Sequence, residues 1–374
     1  MLKKIKRNLM YSKSNTEKEV HRKCFRSLVS AKNLLSAVVV LLLILATAGC
    51  SSNSSSEKPA ETPGANTDSE LFPVRAVTQT TFSETIIADK LGFFEDEGIK
   101  IEYIGTLGQG VSQYQALESG DIDVFTQGHL TDVALARLAG LTPVATAPGF
   151  VDDPNNPHVA YLVREDSDIN SIEDFVGKKV GVIMLAVCTD GFITKYLTEK
   201  GLDAKSVEYV LLPQAGQAEQ SLVNGQIDVT TSHTPFAGVA LAAGGVRQVG
   251  KSYDIVGTPA GGLAVRGFKE SFIKEHPDVV QGFANATYRA RIFMEANPEY
   301  SKIVGAEYLG LKPEEVSSNS YCQEKNILPE WGQLWFDLSE ELGYWEPGDI
   351  KPEESYTNQF VPKDPPASDA EIGK

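Results

Sequence analysis

The stretch Gln115–Ala136, QALESGDIDVFTQGHLTDVALA, returns in looser form at Gln220–Ala242, QSLVNGQIDVTTSHTPFAGVALA. Leu117, Gly120, Ile122, Asp123 and Val124 recur as Leu222, Gly225, Ile227, Asp228 and Val229, each 105 positions later. Each copy reads as a helix end, a turn (Ser119-Gly120 or Asn224-Gly225) and a short buried strand. A polar loop holding His129 or His233 follows, and then a new apolar helix. The context upstream repeats too: Gly98 with Ile101-Glu102-Tyr103-Ile104 is echoed by Gly201 with Val207-Glu208-Tyr209-Val210. Strand–helix–strand units converge on such patterns singly, but two matches in the same order predict two α/β lobes of like construction facing a cleft.

The 374 residues, 42% of them apolar, suffice to bury more than one core. The N-terminus lies outside that fold. Residues 1–33 carry seven Lys and three Arg against two Glu, and the uncharged apolar run Leu34–Ala48 ends at Gly49-Cys50. About fifteen apolar residues are too few for a membrane span of roughly 20 but suit the core of a signal peptide. Thr47-Ala48-Gly49-Cys50 resembles a bacterial lipobox, with Thr47 departing from the usual Leu and Cys50 as the lipidation site. The long basic segment leaves Met10 as an alternative start, and an uncleaved anchor helix as the alternative to a cleaved leader. Both place the remainder outside the cytoplasm, on the cell membrane by an anchor alone. Residues 51–70, Ser/Pro/Glu-rich, read as a flexible tether.

The formal net charge is −16, and the leader carries ten positive and two negative charges, so the body stands near −24. That balance repels phosphate backbones and excludes nucleic acid as a partner. Beyond Cys24 and Cys50 only Cys188 and Cys322 remain, which form neither a disulfide framework nor a zinc-ligand spacing. We expect both thiols free, and no metal and no cofactor. A bridge between them would join a cleft loop of lobe two to the helical region packed on lobe one.

Taken in order, Phe72–Thr78 reads as the first strand, 84–91 as a helix capped by Ser83 or Thr81, and Lys100–Ile104 as the next strand. Gly105–Gly110 has glycine spacing but no dinucleotide fingerprint. Pro143–Ala147 and His158–Arg164 are further strands, the latter carrying the chain towards lobe two. Lys179–Met184, the loop 185–190 and the helix 191–200 mirror the start of lobe one. Arg247–Lys251 is a last short strand and Gly261–Val265 the return crossing. Val280, Phe283, Thr287, Ala290 and Met294 line one face of a helix that starts at Pro277 and stops at Asn297-Pro298. Trp331, Trp335, Phe336 and Trp345 are read as core contacts rather than ligand stackers. The domain expectation is therefore 71–165 plus 257–346 for lobe one, 166–256 for lobe two, and 347–374 as a surface or disordered tail.

ADKLGFFEDEGIKIEYI (88–104), ALESGDIDV (116–124), SIEDFVGKKVGV (171–182), NGQIDV (224–229) and FKESFIKEHPDVVQGFANA (268–286) resemble, in order and spacing, one known family. It is that of the lipid-anchored solute-binding proteins of ABC importers, in the nitrate/sulfonate/taurine/thiamine-precursor group. The resemblance runs from about Val74 to Leu311 and implies a type II periplasmic-binding-protein fold. In that fold two α/β lobes are joined by two hinge crossings and the ligand lies between them. It further implies a monomer that binds a small molecule and partners a permease with its ATPase subunit. The family often has a Gly-Ser pair in the loop after lobe two's first strand, where this chain has Leu185-Ala186-Val187-Cys188-Thr189-Asp190.

In parallel α/β sheets, ligands sit off the carboxyl ends of the strands, among loops and helix N-termini. In lobe one that criterion selects Thr80, Thr81 and Ser83, then Gly108 and Gln109, then Gly128, His129 and Asp132. In lobe two it selects Cys188, Thr189 and Asp190, then Gln214, then His233 and Thr234. Each hydroxyl or carboxylate among them also reads as a helix cap. Asp123 and Asp228 lie inside strand-forming segments and are expected to be structural. The leading function is capture of a small polar solute, which needs no catalytic residue. The alternative is an enzyme on the same fold, a lyase or pyrimidine-precursor synthase, with Cys188 and His129 or His233 as nucleophile and base. A sensor ectodomain lacks a downstream transmembrane helix in this sequence. Asp190, read as a cap on the helix that begins at Gly191, would fill an oxyanion pocket from within. The expected ligand is therefore an amine, an aminopyrimidine or a zwitterion rather than a simple inorganic oxyanion.

Overall fold

The computed structural model describes residues 70–372 except 79, 108–110, 186 and 215. The leader, nearly all of the tether, the lipid site Cys50 and the candidates Gly108 and Gln109 lie outside the described residues. In chain order, β1 (Phe72–Ala76), α1 (Glu84–Lys90), β2 (Ile99–Tyr103), α2 (Val111–Ser119), β3 (Val124–Phe125), α3 (Leu130–Leu138) and β4 (Pro143–Pro148) come first. A short β5 (Phe150–Val151) starts the first crossing. Then follow β6 (Ala160–Arg164), β7 (Lys179–Val182), α4 (Phe192–Glu199), β8 (Glu208–Leu211), α5 (Gln217–Val223), β9 (Val229–Ser232), α6 (Phe236–Ala243) and β10 (Val246–Lys251). The chain closes with α7 (Tyr253–Val256), β11 (Val265–Lys269), α8 (Glu270–Glu275), α9 (Pro277–Ala296), α10 (Pro298–Leu309), β12 (Ser320–Tyr321), α11 (Pro329–Glu341) and α12 (Pro352–Ser355).

Lobe two holds a five-stranded sheet in the order β10-β6-β9-β7-β8, with β7 parallel to β8 and β9, and β6 antiparallel to β9. In lobe one β1 pairs in parallel with β2, and β3-β11-β4 form an antiparallel set. Asp123 joins these two sets. Its backbone N–H donates to the Arg75 carbonyl at 2.9 Å, and its carboxylate accepts from the Arg75 N–H at 2.9 Å. Asp228 does the same in lobe two, donating to the Lys179 carbonyl at 2.9 Å and accepting from the Lys179 N–H at 2.8 Å. The repeated aspartates thus pin the third strand of each lobe to the first. Both lobes then follow one strand order, β2-β1-β3-β11-β4 matching β8-β7-β9-β6-β10.

The swap of one strand follows from the two crossings. β6, numbered in sequence with lobe one's expected residues, pairs with β9 and β10, so the chain enters lobe two at about residue 160 rather than 166. The extended segment is apolar, and Ala160–Val163 are buried between β9 and β10. β11 returns the favour in lobe one, between β3 and β4. The crossings run side by side: the Asp152 N–H donates to the Pro259 carbonyl at 2.9 Å, and the Ser252 N–H to the Val159 carbonyl at 2.9 Å. A side chain at Gly262 would sit 2.5 Å from the Asp152 nitrogen, so glycine permits that approach.

The helical C-terminal part covers lobe one. Val280, Phe283, Thr287, Ala290 and Met294 of α9 are all buried, as their spacing predicts. Of the two alternatives expected for the tail, the structure has the surface one, because it is strapped to lobe one. The Thr357 N–H donates to the Ala145 carbonyl at 2.8 Å, and Asp369 takes two bonds of 2.7 Å from the Arg289 guanidinium. Among the described residues no helix is long and apolar enough to cross a membrane.

Candidate functional site

A cavity of about 120 Å³ lies where the two lobes and the first crossing meet. At roughly 10–15 Å³ per enclosed water by the same measure, it accommodates a small solute rather than a polymer. Eight of the sequence candidates line it: Thr81, Gly128, His129 and Asp132 from lobe one, and Cys188, Thr189, His233 and Thr234 from lobe two. The loops off the strand ends deliver them, as the fold rule requires.

Four candidates lie elsewhere. Ser83 is buried ahead of α1, where its carbonyl accepts from Ile86 and Ile87. Thr80 lies outside the lining. Gln214 is exposed, its N–H donating to the Gln217 side chain at 3.3 Å ahead of α5. Asp190 is displaced because helical structure starts earlier than expected, in a wide turn over Val187–Gly191 that runs into α4. Gly191 is already helical, with φ −61° and ψ −49°, so Asp190 lies inside the first turns and does not cap the helix from the cleft. It accepts from the Thr189 hydroxyl at 3.2 Å, and its carbonyl accepts from the Tyr209 hydroxyl at 3.1 Å.

The lining also contains residues that the strand-end rule passed over: Gln113, Gln127, Phe150, His158, Glu219 and Asn319. The Gln127 side chain donates to the Thr81 hydroxyl, and the Ser232 hydroxyl donates to Glu219. His158 is the most consequential. Its sequence signal is that of a crossing strand, yet the crossing passes directly under the cavity.

Three imidazoles converge there. The His129 and His158 rings are 4.9 Å apart between centroids, and His158 and His233 are again 4.9 Å apart. His129 begins α3, its backbone N–H donating to the Asp132 carboxylate at 3.0 Å. Its ring lies flat on Trp335, with centroids 4.6 Å apart and planes 10° apart. Trp335 is buried and donates its indole N–H to the Ala260 carbonyl at 2.7 Å, so it is a core residue that supports the site from behind. The Leu263 carbonyl, 2.7 Å from His129 Nδ1, can only accept, so Nδ1 carries the proton and Nε2 keeps its lone pair. Burial pushes His129 and His158 below the usual imidazole range and His233 to about 4. The same burial raises the Asp132 carboxyl and the Cys188 thiol. The lining therefore holds neutral rings, and no Lys or Arg is among its described residues. Cys188 and Cys322 are both free and buried.

Two like lobes, paired crossings and a cavity between them define the periplasmic-binding-protein class. A family model described as NMT1/THI5 like matches residues 79–301, and the chain belongs to that family. It is 25% identical over 209 residues to a protein of Escherichia coli strain K12 named for binding aliphatic sulfonates. That match covers 56% of this chain and 62% of the relative, less than two thirds of the relative's length. The alkanesulfonate-binding protein of Xanthomonas axonopodis pv. citri bound to MOPS superposes with a TM-score of 0.64 at 16% identity, over 78% of this chain and 99% of that one. The ligand-binding component of an ABC-type import system from Staphylococcus aureus, solved with zinc bound, superposes with a TM-score of 0.66 at 13% identity, over 78% and 98%.

Proposed function

We propose that this protein is the extracytoplasmic solute-binding component of an ABC importer. It captures a small polar solute between its lobes and passes it to a permease with its ATPase subunit. The observation that carries this reading is the cavity itself, lined from both lobes and from the crossing, so that a ligand bridges them. Relatives named for sulfonate binding support the same class. Anchoring through a lipid on Cys50, and a monomeric body, complete the proposal.

The ligand's charge is argued from the lining instead of from Asp190. Asp132 and Glu219 supply carboxyl groups and no described lining residue is a fixed cation, so a donor-bearing solute such as an amine or zwitterion is favoured. Amides and hydroxyls of Gln113, Gln127, Thr81 and Asn319 would serve its polar remainder. Calorimetry against alkanesulfonates, nitrate, amines and aminopyrimidines tests this. Micromolar binding of nitrate alone would overturn the charge argument, and no binding across the panel would overturn the solute site.

An enzymatic role would need Cys188 as a thiolate, whereas burial holds the thiol up in pKa and so protonated at neutral pH. Turnover of any panel compound, abolished in Cys188→Ser, would favour that second reading.

A further inference from the structure

We infer that the cleft takes a first-row transition-metal ion, with His129, His158 and Cys188 as its protein ligands. This rests on reading the cleft as a solute site and names a chemical class for what occupies it. The donor atoms of these three residues all lie within 4.8 Å of one another. They come from different parts of the fold: His129 from lobe one, His158 from the crossing and Cys188 from lobe two. In sequence they are 29 and then 30 residues apart, which is why no metal-ligand spacing is visible there.

Side-chain hydrogen bonding points the same way. His158 is only 3% exposed, yet its Nε2 has no hydrogen-bond partner. A core histidine kept only for packing would leave that nitrogen orphaned, with its desolvation uncompensated. His129 is held by a carbonyl on Nδ1, the arrangement that orients a metal-ligating imidazole and leaves Nε2 to bind.

The donor set selects the ion. Two imidazoles and a thiolate suit zinc, cobalt, nickel or copper, whereas magnesium and calcium demand oxygen. Zn–N and Zn–S bonds of about 2.0–2.3 Å in a tetrahedron place ligand atoms roughly 3.3–3.7 Å apart. From separations of up to 4.8 Å the donors must therefore draw in by up to about 1.5 Å, and closing His129 on lobe one towards Cys188 on lobe two supplies that movement. The Cys188 S–H bond breaks as the metal–sulfur bond forms, and its proton leaves to solvent. A fourth position stays open beside His233 for water or a donor of the solute.

The test uses the full chain stripped with chelator, titrated with Co²⁺ and Zn²⁺ and, separately, with the organic panel. We expect one ion per chain, a thiolate-to-cobalt charge-transfer band, release of one proton, and compaction by small-angle scattering. Cys188→Ser should abolish the charge-transfer band, and Cys188→Ser and His158→Gln should each weaken Zn²⁺ binding at least 100-fold while circular dichroism shows a folded chain. Absence of the cobalt–thiolate band from the unsubstituted protein overturns the inference whatever the variants do, as does Zn²⁺ affinity unchanged in both. Organic binding to stripped protein without metal binding would sink the metal and leave the solute reading intact. Failure of both titrations would sink the two together.

Discussion

At the scale of single residues, the three cleft histidines make stability depend on pH. An ordinary imidazole titrates near 6.5, and burial takes His233 down to about 4. Above pH 6.5 both folded and unfolded states hold the neutral ring and this group contributes no slope. Below it the unfolded chain takes up a proton that the folded state refuses, so stability falls with pH until about 4. Urea unfolding should therefore show a loss on the order of 1–2 kcal/mol from His233 between pH 7 and pH 5. His233→Gln should flatten that part of the slope, and an unchanged slope would show that the ring is not held neutral. The repeated aspartates offer a second test. Asp123→Ala and Asp228→Ala each remove an acceptor from a strand N–H, and each should cost about 1–3 kcal/mol in the same assay. The larger loss is expected at Asp123, which also takes a bond of 2.8 Å from the Arg75 side chain.

At the scale of elements, α11 links the lobes. Its Ser339 meets Thr131 of α3 at 2.7 Å, while Glu341 pairs with Lys195 of α4 at 3.1 Å. Between them Trp335 backs His129 and approaches Phe192 at 6.2 Å between ring centroids. Trp335→Ala should destabilise by about 3–5 kcal/mol, because a large buried ring leaves a cavity that its neighbours cannot fill. Trp335→Phe keeps part of the stack and loses the indole bond to the Ala260 carbonyl, which retains the Leu263 N–H as a donor at 3.0 Å, so ligand affinity should fall further than stability. Thermal melts read beside calorimetry would separate the two effects. Glu341 is half exposed, and exposed ion pairs contribute little. Glu341→Gln should change ligand affinity less than about fivefold.

At the scale of the whole molecule, ligand binding should draw the lobes together, and small-angle scattering at saturating ligand should show a smaller radius of gyration. An unchanged radius with tightly bound ligand would refute closure as the response. The twofold construction behind that expectation was legible in the sequence, because strand and turn patterns are local and the Gly120/Gly225 and Asp123/Asp228 pairs mark equivalent strand starts. The apolar face of α9 was legible for the same reason, a period of 3.6 residues being visible without any partner. The loops bearing His129, Cys188 and His233 were also within reach, since the strand-end rule depends only on element order. What the sequence could not determine was which strand crosses where and what therefore meets in the cleft. β6 joins lobe two and β11 lobe one because hydrogen bonding between distant segments decides pairing. That exchange brings the crossing under the cavity and His158 with it. Asp190 looked like a cap because helix onset is ambiguous by a turn, and in the structure the helical turn begins at Val187. The chain alone determined two lobes and a cleft. Long-range strand pairing and burial decided which side chains face one another inside it and which of them stay neutral.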